Sequence, residues 1–132
     1  MKPIKLLPRN SLEVALEKSQ LGELSLPDFL SLLVLSDLYI VSTEIVSDGA
    51  KGLHPLLFDR SGVPMAAVYT DSARTDNNEK ERIKSVVKMK GADILKNIPP
   101  GYGVVINPGF DLGLELLPEG VRNVVDNFCK DI

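Results

Sequence analysis

Residues 101–121 read GYGVVINPGFDLGLELLPEGV, and this stretch decides the fold. Two short apolar segments, 102–106 and 112–117, are joined by Asn107-Pro108-Gly109-Phe110-Asp111. Proline removes a ladder donor and glycine permits positive φ, so the first segment stops there as a strand stops. Pro118 then opens a helix, as proline does at a first turn. A strand, a sharp turn, a second strand and a helix follow one another without any catalytic or metal motif. On physical grounds alone they belong to a small soluble α+β domain.

Working outward, Asn10 or Ser11 suits a helix N-cap, with Leu12, Ala15 and Leu16 forming one buried stripe and Gly22 ending the helix. A second helix starts near Pro27 and carries Phe29, Leu30, Leu33 and Val34. Residues 38–42 (LYIVS) are β-prone, and 47–52, with two glycines, read as a loop. Segments 53–59 and 63–70 flank Arg60-Ser61-Gly62, which predicts an antiparallel hairpin. Asp71 or Ser72 caps the segment after that hairpin. The pattern then predicts a main helix over 78–90, with Ile83, Val86 and Val87 on one side and lysines on the other, interrupted at Gly91. A further turn or two spans 92–98 before Pro99-Pro100. The closing helix bears the stripe Val121, Val124, Val125 and Phe128. Helices before and after hairpin-like strands predict α+β architecture: a central, mixed to mostly antiparallel sheet of about five strands with helices packed on it.

The 132 residues fit one domain spanning 1–132, with its core at about 10–130. With no Trp and 5% aromatics, the interior rests on Leu, Val and Ile. Cys129 is the single cysteine, which suits a reducing compartment and excludes an internal disulfide. No signal peptide is visible in the first ten residues, and the apolar run 29–41 is too short and polar to span a bilayer, so a cytoplasmic location is the expectation. Residues 10–50 carry seven acidic side chains against Lys18, whereas 74–96 carry seven basic against four acidic. The interleaved acids, the missing aromatics and the overall charge of −3 argue against nucleic acid and for a solvated helix face.

Among chemically interesting residues, Gly101-Tyr102-Gly103 precedes a strand, which excludes the dinucleotide fingerprint, and no P-loop occurs. His54 is the only histidine and stands before Pro55, a poor start for a zinc site; no metal and no cofactor are expected. The carboxylates Glu44, Asp48, Asp59, Asp71 and Asp111 read as turn and cap residues. Asp71-Ser72 with Arg74 follows a buried strand, and such strand ends often overlook a cleft, although helix capping explains Asp71 equally well. Phe110, inside a turn, is either an exposed anchor for a partner or a lid folded back on the core. Tyr39, Tyr69 and Tyr102 read as strand residues with a wet hydroxyl.

Three phrases, Leu38-Tyr39-Ile40-Val41, GVPMAAVYTD at 62–71 and GVVINPG at 103–109, together with the segment between the last two, resemble the SseB family (enhanced serine sensitivity), specifically its N-terminal domain. The resemblance covers most of residues 10–128. It implies an α+β bacterial cytoplasmic domain without established catalytic residues. Longer members of the family carry a second, C-terminal domain, for which 132 residues leave no room. The expectation is therefore a non-enzymatic protein-interaction domain, an adaptor or immunity-like protein, whose partner contacts Phe110, Asn107, Asp111 and Tyr102. The acidic 10–50 region suits a basic partner. The alternative is a small-molecule (amino-acid or metabolite) binding or enzymatic domain with a cleft at Asp71, Arg74 and Asn107. A homodimer through an open sheet edge or through 29–34 is compatible with both.

Overall fold

Asn10 has an extended backbone, and its side chain accepts the Glu13 amide at 2.8 Å, capping α1 (Ser11–Gln20). Gly22, at φ 78°, closes the turn beyond that helix. Ser25 caps α2 (Leu26–Leu35) in the same way through the Asp28 amide, with Pro27 in the first turn. The structure is a computed structural model that describes residues 4–43, 55–76 and 83–129. Phe29 and Leu33 of α2 are fully buried, each contributing roughly 1.5–3 kcal/mol relative to exposure.

Among the described residues, six strands form one sheet: β1 (Asp37–Ser42), β2 (Leu57–Arg60), β3 (Val63–Tyr69), β4 (Ser85–Lys90), β5 (Gly103–Ile106) and β6 (Leu114–Leu116). Their order is β4-β1-β3-β5-β6, and β2 pairs with the first half of β3. β1 takes the second half of that same edge through Tyr39↔Tyr69 and Ile40↔Val68, while β5 lies along the other edge. Every strand pairing is antiparallel except β3 with β5. The α+β expectation therefore holds, with six strands in place of about five. The β2–β3 turn has positive φ at both Ser61 (52°) and Gly62 (90°), the handedness that matches twisted hairpin strands.

Alternation divides the sheet into two faces. Leu38, Ile40, Val68, Val104, Ile106 and Leu116 meet α1, α2, α3 (Gly91–Lys96) and α4 (Pro118–Phe128) in the main core. The opposite face gathers Val41, Ala67 and Tyr69, with Tyr39, Phe58, Val105 and Phe110 half-buried around them. Among the described residues, no helix is long and apolar enough to cross a membrane.

The helix predicted over 78–90 is corrected at its C-terminal half, which is β4. Val87-Lys88-Met89-Lys90 alternates with period two, and six successive pairs join β4 to β1. Ser85, Val87 and Met89 are half-buried and Val86, Lys88 and Lys90 exposed, so the lysines line a strand and not a helix face. Two adjacent β-branched valines favour that outcome. Residues 77–82 lie outside the described residues, as do His54, Glu44 and Asp48. Gly91 does not interrupt a helix but begins α3. Its amide donates to the Ser36 carbonyl at 2.9 Å, and a side chain there would collide with the Leu33 carbonyl oxygen.

Gly91→Ala should therefore lower stability by about 1–3 kcal/mol in urea unfolding. Gly120, inside α4, has ordinary room for a methyl group, the nearest atoms being Leu116 side-chain carbons at 3.7 and 3.8 Å. Gly120→Ala should raise stability by about 0.5–1 kcal/mol in the same assay.

Candidate functional site: a buried polar network beside a pinned turn

Because β3 and β5 run parallel, with Val68 opposite Ile106, their carboxyl ends lie side by side. Thr70 follows one and Asn107 the other. The Asn107 amide donates to the Val68 carbonyl at 2.8 Å, and the Thr70 amide donates to Asn107 Oδ1 at 3.0 Å. Asn107 Nδ2 donates to Thr70 Oγ1 and to the Leu112 carbonyl, both at 2.8 Å. Asn107 holds φ 53°, a left-handed conformation that asparagine tolerates better than most residues. One side chain thus ends β5, fastens β3 to it and ties in the segment leading to β6.

Thr70 Oγ1 passes the chain of bonds on, donating to Glu13 Oε2 at 2.5 Å. Glu13 is fully buried, and Arg74 clamps it with Nε on Oε2 at 3.1 Å and Nη2 on Oε1 at 2.7 Å. The Arg9 amide donates to Oε1 at 2.8 Å, and Arg74 Nη2 donates to the Leu7 carbonyl at 2.9 Å. Burial pushes the Glu13 carboxyl up, but the hydrogen bonds from Arg74, Thr70 and Arg9, with the charge of Arg74, hold it below its ordinary value of 4.5. The bond to Glu13 in turn raises Arg74. In the sequence Glu13 reads as an ordinary first-turn acid; the available signal is its position between Leu12 and Ala15 of the buried stripe.

Asp71, Arg74 and Asn107 therefore meet around one network, in different roles. The Arg74 and Asn107 side chains turn inward. Asp71 Oδ1 accepts the Ala73 amide at 2.9 Å, capping the 3-10 helix Ser72–Asp76, and lies 3.7 Å from Arg9 Nε. Beside it is an open depression of about 360 Å³ lined by Asn10, Ser11, Asp37, Tyr39, Thr70 and Asp71, among others.

The 107–111 turn is pinned from outside. The Ile4 amide donates to the Gly109 carbonyl and the Asp111 amide to the Ile4 carbonyl, both at 2.9 Å. Asp111 Oδ1 accepts the Leu6 amide at 2.8 Å, and Gln20 Nε2 donates to the Asp111 carbonyl at 2.9 Å. Phe110 is half-buried and packs against both apolar clusters. Tyr102 lies apart from this turn. It lines a separate groove of about 760 Å³ between the 99–102 segment and α4, with Leu95, Ile98, Val121, Arg122 and Val125. Cys129 is buried, and burial pushes its thiol up. Among the described residues, no three His, Cys, Asp or Glu side chains are placed to hold a metal ion.

Arg74→Ala should cost about 3–5 kcal/mol at neutral pH, because it leaves the Glu13 carboxylate buried and unpaired. A carboxyl lowered on folding stabilises above its unfolded value and loses that contribution as pH falls through the folded one. The deficit of Arg74→Ala against wild type should accordingly begin to narrow already above pH 4.5, because burial without Arg74 pushes the variant's carboxyl up and it takes a proton first. It should go on narrowing until the wild-type carboxyl is protonated below 4.5. Urea unfolding at stepped pH measures both effects.

No curated protein and no solved structure matches the chain. The family model described as the SseB protein N-terminal domain matches residues 12–123, a span that includes Glu13, Thr70, Arg74 and Asn107, and the chain belongs to that family.

Proposed function

We propose that the protein is a non-catalytic bacterial protein-interaction domain, an adaptor or immunity-like protein that docks on its partner through the surface around the 107–111 turn. The observation that carries this reading is the pinning of that turn by the 4–6 segment. Ile4 is 48% exposed and pairs with Phe110 in a parallel bridge beside the exposed Gly109, and Leu7, 79% exposed, follows Leu6, whose amide donates to Asp111. Exposed aliphatic side chains grouped on a braced backbone favour association, since little ordering remains to be done on binding.

The alternative of a small-molecule cleft receives less support from the geometry. Both functional groups of Asn107 and the guanidinium of Arg74 are engaged within the protein, which leaves Asp71 as the outward member of that trio. An acidic surface remains on the helical side: Glu23 and Asp28 are exposed and Glu17 half-exposed, whereas Glu13 is withdrawn. A basic partner fits that surface, and rim charges of this kind act mainly on association rate.

Phe110 packs on the core, so its replacement by Asp disturbs folding as well as docking. Leu7→Asp separates the two. Stability should stay within about 0.5 kcal/mol of wild type, as for most exposed positions. A near-stoichiometric protein that co-purifies with the wild type from its native cells should be lost with Leu7→Asp. Equal recovery of that protein with the variant, or no enriched protein across growth conditions, overturns the reading.

A further inference from the structure

β4 stands at one end of the sheet order, with β1 on its inner side. The Ser36 and Ser42 carbonyls both face β4, accepting the Gly91 and Lys84 amides, whereas the Val41 carbonyl faces away and accepts the Leu56 amide. With the register Asp37↔Lys90 through Ser42↔Ser85, this sets the phase of the ladder. Ser85, Val87 and Met89 turn their backbone groups to β1. Val86, Lys88 and Lys90 turn theirs outward, and among the described residues no strand pairs with them.

The side chains along this edge are sorted by charge. On the helix-free face stand Lys84, Val86, Lys88 and Lys90, all exposed. Val86 is 45% exposed, and Lys90 is paired with Asp37 at 2.9 Å. On the helical face Val87 and Met89 are half-buried against the core. Lysines on an edge oppose self-pairing, because a second copy would bring lysine against lysine. The same charge selects for an acidic strand.

We infer that the β4 edge takes up an extended acidic segment of another protein as an added strand. Acidic side chains at alternate positions of that segment would stand beside Lys84, Lys88 and Lys90, and apolar ones beside Val87 and Met89. Backbone bonds supply the affinity in such additions and the alternating side chains the selectivity. The inference does not depend on the 107–111 surface, which lies past β5 on the other side of the sheet order.

The test uses the whole protein, labelled with nitrogen-15, and an end-capped peptide of about eight residues alternating Glu and Val. The amides of Val86, Lys88 and Lys90 should shift and their hydrogen exchange slow, with affinity falling as salt rises. A peptide alternating Lys and Val should bind at least about tenfold more weakly. The variant K84E/K88E changes only exposed side chains and should reverse that preference. Equal affinity for the two peptides, shifts confined to other residues, or an unchanged preference in K84E/K88E overturns the inference. Dimerisation of the free protein that protects the same three amides also overturns it, because the occupant is then a second copy.

Discussion

Everything at the carboxyl end of the sheet depends on one charge pair removed from water. Glu13 comes from the first helix and Arg74 from the segment after β3, and their bidentate contact joins parts of the chain 61 residues apart. Two ions leaving water incur several kcal/mol each, and attraction alone offsets this only where the remaining lone pairs and protons are satisfied. Here Thr70, the Arg9 amide and the Leu7 carbonyl complete that satisfaction. Asn107 extends it across the parallel pair. The network therefore specifies one arrangement of α1 on the sheet, because a shifted helix would strand a buried carboxylate.

That specification has a chemical corollary. The ends of adjacent parallel strands commonly hold ligands in α/β proteins, and here polar side chains of the protein itself fill the position. Thr70 and Asn107 are almost completely buried, at 2% and 1% exposure. Surface chemistry moves outward instead, to the braced turn, to the groove along α4 and to the lysine-lined edge. Arg60 and Glu115, paired at 2.8 Å, bridge β2 and β6 across the helix-free side, giving that face a charged feature of its own.

Much of this fold was legible in the sequence because local chemistry and tertiary structure agree. Asn10 caps, Gly22 ends a helix, Ser61-Gly62 turns a hairpin and Asn107 stops a strand, as their intrinsic preferences dictate. Legibility failed at β4, where Ile83, Val86 and Val87 satisfy a helical spacing while Val87 and Met89 satisfy a strand's. Residues before Gly91 carry both patterns, and pairing with β1 decides between them, an interaction remote in sequence. The network was half legible. Arg74 and Asn107 stood out as polar residues after strands, but their inward orientation depends on Glu13, which lies across the fold. Phe110 shows the same limit, since its partial burial follows from two apolar clusters assembled from distant segments.

The clasp between Leu6 and Asp111 also sets an order of assembly. These two residues are 105 apart in the chain, whereas the β2–β3 hairpin closes on two residues. Loop closure makes the hairpin cheap in entropy and the clasp late. On a ribosome the delay is enforced. Leu6 emerges on the order of ten seconds before Asp111 at ordinary elongation rates. Arg74 also emerges within that interval, so the partner of Glu13 is available before the partner of Leu6. The backbone groups of Ile4 and Leu6 thus gain their partners at 109–111 only after β5 has emerged, when the strand pair β5–β6 is being completed.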